Sequence, residues 1–349
     1  MKSKIIIKSN AIGQLHELIN LAPYSKIAVL TDRTIAKLWL SKLTDNLKSK
    51  PVEIIIPSGE KQKNVTTLTS VWQQLKNHQL DRHSLLINLG GGVICDLGGF
   101  AASTYMRGID FIHLPTTLLA QVDASIGGKT AINFNGLKNI IGTFTLPKAI
   151  IIDPQTLSSL SVNQITDGMA EVIKHGLIKD KKHFQLAVSK KPFQLSQKDL
   201  IQLIKQSSQI KLDIVSQDKK EANLRKILNF GHTIGHALES SSQNTKSPLP
   251  HGQAVSLGMV AEAKLSQLKG FLTNKELNLI EQGLKHVCLP IRTKTLPIKS
   301  ILTLIKSDKK NQAQTINFTL LKSIGQSVIN QIATIKQVET SLLWLKNSS

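Results

Sequence analysis

A chain of 349 residues, 41% hydrophobic and carrying a formal charge of +21, is long enough for about two domains with their own cores. No apolar run approaches the ~20 residues that span a bilayer, the opening Ile5–Ile7 run is too short for a secretory signal, and two cysteines, Cys95 and Cys288, argue against a disulfide framework. A soluble cytoplasmic protein with no membrane partner is the expectation.

The positive charge is nearly all lysine, spread along the chain, with arginine only at Arg33, Arg82, Arg107, Arg225 and Arg292. Arginine is the side chain that reads bases and phosphates bidentately, and the aromatic share of 4% leaves little for base stacking. The charge therefore points away from nucleic acid and toward a basic surface that attracts small anionic substrates.

In chain order, Ile5–Ile7, Lys26–Leu30, Val52–Ile56, Ser84–Leu89, Phe111–Leu114 and Ala149–Ile152 are short β-branched runs that read as strands. Amphipathic stretches at Thr34–Leu47 and Val65–Leu75 read as helices between them. This βαβα rhythm predicts an α/β, Rossmann-like N-terminal domain over residues 1–155, with a mostly parallel sheet. Past Asp153-Pro154 helical periods dominate, as in Leu200–Ile214 and Leu277–Leu284, and predict an all-α C-terminal metal-binding domain over 156–349. A late strand pair is suggested around Thr315–Ile324, and Ser240–Pro248 reads as an exposed loop.

Leu89-Gly-Gly-Gly-Val-Ile-Cys-Asp follows a strand and opens a helix, the place where an α/β domain binds a pyrophosphate. Gly90 and Gly92 fit a dinucleotide fingerprint, whereas Cys95 occupies the third glycine position. Gly127-Gly-Lys-Thr130 is not a P-loop, because Asp123 stands where the first glycine is needed.

His232 and His236 lie four residues apart, one helical turn, with His251 nearby. Such pairs are more often unrelated histidines than ligands. Here Gly231 and Gly235 flank the pair, and Glu171 offers a carboxylate on a predicted helix. Two histidines and one carboxylate form the protein part of many catalytic zinc sites. Spacing alone suggests that His232 and His236 share one metal.

Together the motifs resemble the 3-dehydroquinate synthase family. The resemblance rests on Gly90–Lys138, including Gly90-Gly-Gly-Val-Ile-Cys-Asp-Leu-Gly-Gly and Leu114-Pro-Thr-Thr-Leu-Leu-Ala-Gln-Val-Asp-Ala-Ser-Ile-Gly-Gly-Lys. It continues in Met169-Ala-Glu-Val-Ile-Lys, Leu228-Asn-Phe-Gly-His-Thr-Ile-Gly-His and His251-Gly-Gln-Ala-Val, and spans the chain from Ser58 to Asp308-Lys-Lys.

The resemblance implies cyclisation of 3-deoxy-D-arabino-heptulosonate 7-phosphate to 3-dehydroquinate with phosphate release, in aromatic amino acid biosynthesis. It also implies NAD as a transient oxidant and Zn2+ or Co2+ as the metal, held by Glu171, His232 and His251. NAD contacts fall on Asp32, on Ser58, Gly59, Glu60, Lys61, Gln62 and Lys63, and on Gly91, Gly92, Val93, Ile94, Cys95 and Asp96. Further ones fall on Thr116, Thr117, Lys129, Lys138, Thr156, Leu157, Ser158 and Ser159. Substrate contacts fall on Asp123, Lys129, Lys138, Asn139, Lys174, Lys211, Arg225, Asn229, His236 and Lys309. A homodimer is implied, with Arg107 supplied across its interface. By this carry-over His236 faces substrate and leaves the metal to His251. Other sugar-phosphate cyclases and metal-dependent polyol or glycerol-phosphate dehydrogenases are the nearest rival readings.

The chain departs from the family pattern at Gln253, where glutamate is usual, at Cys95, where glycine is common, and in Asp218-Lys-Lys-Glu, normally a more acidic run. The loop before His251 is slightly longer than in some relatives.

Overall fold

The structure, a computed structural model, describes residues 3–243, 245, 247–306 and 315–346. The chain divides into two compact units, 1–161 and 162–349. The first holds six parallel strands: β1 (Lys4–Ile7), β2 (Ile27–Asp32), β3 (Val52–Ile56), β4 (Leu85–Gly90), β5 (Asp110–Pro115) and β8 (Ala149–Ile152). Their order across the sheet is β1-β8-β5-β4-β2-β3. All six strands expected from the sequence are present.

Strand composition explains the layering. In β2, Ile27 and Val29 enter one apolar core while Ala28 and Leu30 enter another; in β4, Leu85, Ile87 and Leu89 face the first core and Leu86 the second. Side chains alternate across a strand, so near-continuous apolar runs demand cover on both faces. Helices α1 (Val65–Asn77) and α2 (Gly92–Thr104) supply part of that cover, adding Leu68, Val71, Leu75, Ile94 and Phe100 to the second core. At Gly98 a Cβ would sit 1.9 Å from Asn88 Oδ1. The residue that lets helix and sheet close together thus lies one turn beyond Cys95, whose thiol is buried and directed at Gly90 O at 3.8 Å.

Between β5 and β8 the chain makes an antiparallel hairpin, β6 (Lys129–Phe134) with β7 (Leu137–Phe144), which the sequence reading did not anticipate. It exposes Phe134, Leu137, Ile140, Ile141 and Phe144, while Ile132 enters the second core. A strand whose apolar residues do not alternate against a core carries no period-2 signal.

The second unit contains α3 (Val162–Lys179), α4 (Gln197–Gln217), α5 (His232–Ser242), α6 (His251–Leu268), α7 (Asn274–His286) and α8 (Ile335–Leu343). Their starts carry the expected chemistry: Ser196 with Asp199, Thr273 with Glu276 and Thr334 with Gln337 form capping boxes. Strands β9 (Thr315–Ser323) and β10 (Gln326–Thr334) pair antiparallel, so the unit is helical with one hairpin added rather than all-α. The suggested strand pair around Thr315–Ile324 is one strand of that hairpin, with its partner just beyond.

Residues 156–159 of the turn Pro154–Ser159, placed by the expected boundary in the C-terminal domain, fall in the first compact unit. Gln121 Nε2 donates to Thr156 Oγ1 at 2.9 Å and to the carbonyls of Pro115 and Asp153 at 3.1 Å, tying the ends of β5 and β8 together. Among the described residues no helix is long and apolar enough to cross a membrane.

Candidate functional site

In the first unit the cofactor-assigned residues gather at one edge of the sheet. Asp32 ends β2, Ser58–Lys63 follow β3, Gly91–Asp96 follow β4, Thr116 and Thr117 follow β5, and Thr156–Ser159 follow β8. Because these strands are parallel, all five segments lie outside their carboxyl ends. That crevice, where the strand order reverses beside β2 and β4, is the ligand site of open α/β sheets. Gly91 caps α2 without a side-chain hydrogen bond, which leaves backbone N–H groups and the positive helix end open to an anion.

The polar groups there are organised. Asp32 Oδ1 accepts from Thr34 N at 2.8 Å and from Ser58 Oγ at 2.6 Å. Lys63, only 4% exposed, donates to Asp96 Oδ2 and Asn139 Oδ1, both at 2.5 Å. Glu60 Oε1 accepts from Asn133 Nδ2 at 2.8 Å, joining the segment after β3 to the hairpin that bears Lys129, Lys138 and Asn139. Asp123 sits in the helical turn Ala120–Ala124. Arg107 follows Met106 in a turn where both adopt positive φ, 50° and 66°. Non-glycine residues in that region are strained and persist only when the surroundings hold them.

In the second unit Glu171 is fully buried on α3. Its Oε1 lies 3.3 Å from His232 Nε2 and 3.3 Å from His251 Nε2, while Oε2 pairs with Lys174. The three donor atoms lie within 4.8 Å of one another. Donors sharing one ion at about 2.0–2.1 Å stand about 3.3 Å apart, so the two Glu171–histidine separations fit a set that would hold zinc or cobalt. Burial pushes the Glu171 carboxyl up, but Lys174 and His232 overcome it and hold the group well below the usual range. His251 is depressed by burial, yet the carboxylates of Glu171 and Glu239 raise it to about 10. His236 is not in the set: its ring meets His232 edge-on, with centroids 5.0 Å apart.

Close helix contacts make this convergence possible. A Cβ at Gly258 on α6 would lie 2.0 Å from Gly231 O and 2.7 Å from Gly235 N, at the start of α5. A Cβ at Gly252 would lie 2.1 Å from Asp167 O on α3, and Asp167 Oδ1 accepts from Gly252 N at 2.6 Å. Glycine at both positions brings α3, α5 and α6 within backbone contact, each carrying one donor of the triad.

Lys174, Lys211 and Arg225 are almost wholly buried, on α3, α4 and the turn Leu224–Asn229, which pack on one another. Buried cations are costly unless compensated; Lys174 pairs with Glu171, and Arg225 Nη1 donates to Lys219 O at 2.8 Å. The variant run before Arg225 has a local role: Asp218 Oδ2 accepts from Asn223 N at 2.7 Å and Arg225 N at 3.0 Å. Asn229 Nδ2 donates to Glu221 Oε1 at 2.7 Å. Lys309 lies outside the described residues.

Sequence reading missed Gln121, Glu239 and Glu262. Glu239 has a retrievable signal, since it continues the His232–His236 face at the next helical position.

The sequence profile for the 3-dehydroquinate synthase N-terminal region matches residues 53–167, and that for the C-terminal region matches 168–311. The 3-dehydroquinate synthase of Thermodesulfovibrio yellowstonii is 43% identical, over 94% of this chain and 92% of its own. The chain belongs to the 3-dehydroquinate synthase family. The Pyrococcus abyssi member is also 43% identical, over 95% of this chain and 96% of its own. Among solved structures, 2-epi-5-epi-valiolone synthase from Streptomyces hygroscopicus, with NAD+ and Zn2+ bound, superimposes at a TM-score of 0.89. It is 25% identical and the match covers 99% of this chain and 97% of that one. A protein described as a probable glycerol dehydrogenase, from Sinorhizobium meliloti, shares the fold at a TM-score of 0.70 and 14% identity, covering 99% of this chain and 96% of that one. The family is therefore set by sequence, within a fold that the dehydrogenases also use.

Proposed function

We propose that this protein converts 3-deoxy-D-arabino-heptulosonate 7-phosphate to 3-dehydroquinate with release of phosphate. The observation that carries the reading is family membership across both units, joined to the Glu171–His232–His251 donor set. Zn2+ or Co2+ on that set supplies a Lewis acid for substrate hydroxyls. NAD at the carboxyl edge of the sheet supplies a hydride acceptor regenerated within each turnover.

The chain's own residues bind and orient. Arg225 offers a guanidinium fork for a carboxylate, with Lys211 as a second cation, which suits an acidic sugar phosphate better than a neutral one. Lys129, Lys138 and His236 hold the phosphate, and lysine charge stabilises the anion that develops as the phosphate leaves. Lys174 balances Glu171, so the metal carboxylate stays ionised. Asn139, Asn229, Asp123 and Lys309 complete the substrate contacts, and the remaining residues named at the sheet edge serve NAD.

A homodimer in which Arg107 reaches the partner's site is part of this proposal, supported by the exposed apolar side chains of the β6–β7 hairpin. A reducing, cytoplasmic setting accords with the cysteine usage.

The deciding assay supplies NAD, Zn2+ and the heptulosonate phosphate. Phosphate should appear stoichiometrically with dehydroquinate while NADH absorbance stays flat. Accumulating NADH without phosphate would mark a dehydrogenase instead.

A further inference from the structure

Glu239 lies on α5 three residues after His236 and seven after His232, so all three occupy one helical face. Its carboxylate side chain is 9% exposed, and Oε2 stands 3.5 Å from His251 Nδ1. The other nitrogen of that ring, Nε2, is 3.3 Å from Glu171 Oε1. The His251 imidazole is thus held between two carboxylates, one at each nitrogen. His251 is also the first residue of α6, where the helix dipole disfavours a cation, so these side chains must hold it in place. His232 shows the matching arrangement: Nε2 faces Glu171, and Nδ1 lies 3.2 Å from Phe230 O.

We propose that Glu239 is a positioning residue of the metal site. By accepting the Nδ1–H of His251 it fixes the tautomer whose Nε2 lone pair points toward Glu171. It also makes that nitrogen a stronger donor, as carboxylate partners do for metal-bound histidines. The inference rests on the metal reading above. An ion pair serving only the fold would alter stability and leave the bound metal's exit rate unchanged.

The test loads the purified full-length parent, E239Q and E239A with Co2+, then follows metal content and the rate of Co2+ loss to excess EDTA. Melting curves of the metal-free proteins accompany them. One Co2+ per chain is expected in all three, with loss roughly tenfold to a hundredfold faster in E239A and intermediate in E239Q, which keeps an acceptor but loses the charge. Release at the parent rate from both variants overturns the inference. So does a parent holding two Co2+ per chain of which E239A keeps one, because Glu239 would then be a ligand beside His236. If E239A does not fold, the near-isosteric E239Q decides alone. A parent that takes up no Co2+ overturns the metal reading itself.

Discussion

Gly231 donates its backbone N–H to Glu262 Oε2 at 2.6 Å, deep in the helical unit. The other carboxylate oxygen accepts from Ile234 N at 3.0 Å. Glu262 on α6 thus caps α5, whose own cap position is a glycine without a side chain. The helix that begins with His251 is thereby tied to the turn that presents His232. Glu262→Ala strands two buried N–H donors at about 1–3 kcal/mol each. Chemical denaturation of the metal-free variant should show a loss of about 2–6 kcal/mol; a loss below about 1 kcal/mol would remove Glu262 from this role.

His251 sets a pH dependence for metal uptake. Its metal-free imidazole titrates near 10, Glu171 is held ionised, and burial, Lys174 and His251 keep His232 below its usual value. Between pH 7 and 8 one proton must therefore leave as the ion enters, and affinity should fall about tenfold for each pH unit lost. Calorimetry in buffers of differing ionisation heat should report about one proton released per Co2+. For the metal-free fold the same raised value contributes stability that is complete below pH 6.5 and is lost as pH rises through about 10.

The two histidines of the helical pair should separate by substitution. His232→Ala removes a donor facing Glu171 and should lose metal, measured by elemental analysis after dialysis. His236→Ala should retain metal and lose turnover. Equal metal loss in both would return the pair to a shared-ligand role.

Gly258→Ala places a methyl 2.0 Å from a backbone oxygen that has no flexible side chain to yield. Helices α5 and α6 must separate, with a stability loss of several kcal/mol, about 3 or more, and weakened Co2+ uptake. Unchanged melting and uptake would show that the contact relaxes freely.

Subunit complementation tests Arg107. Arg107→Ala and His232→Ala should each be inactive alone. Refolded together, they should regain activity, since a mixed dimer pairs an intact metal site with an intact Arg107 from the other chain. A mixture that stays inactive would place Arg107 in its own subunit's site.

Much of this protein is legible in its residues. Apolar runs such as Leu85–Leu89 must be covered on both faces, which makes the sheet parallel and sets five turns at one edge. The glycine turn after β4 and the capping residues at Ser196, Thr273 and Thr334 mark helix starts, because those backbone donors need partners. The motif resemblance carried the identities of Glu171, His232 and His251.

Tertiary packing decided the rest. Helical spacing says only that His232 and His236 share a face; it does not say what that face meets. Glu171 and His251 stand 80 positions apart in sequence, and they meet because Gly252 and Gly258 let three helices touch. Glu239 and Glu262 carry no motif that singles them out in sequence, yet both are buried against specific donors. The hairpin 129–144 was hidden because the apolar residues of its second strand, Leu137, Ile140, Ile141 and Phe144, are all exposed and so do not alternate against a core. Residue types and periods are local and survive in the sequence; which nitrogen meets which carboxylate depends on the approach of backbones that no local pattern encodes.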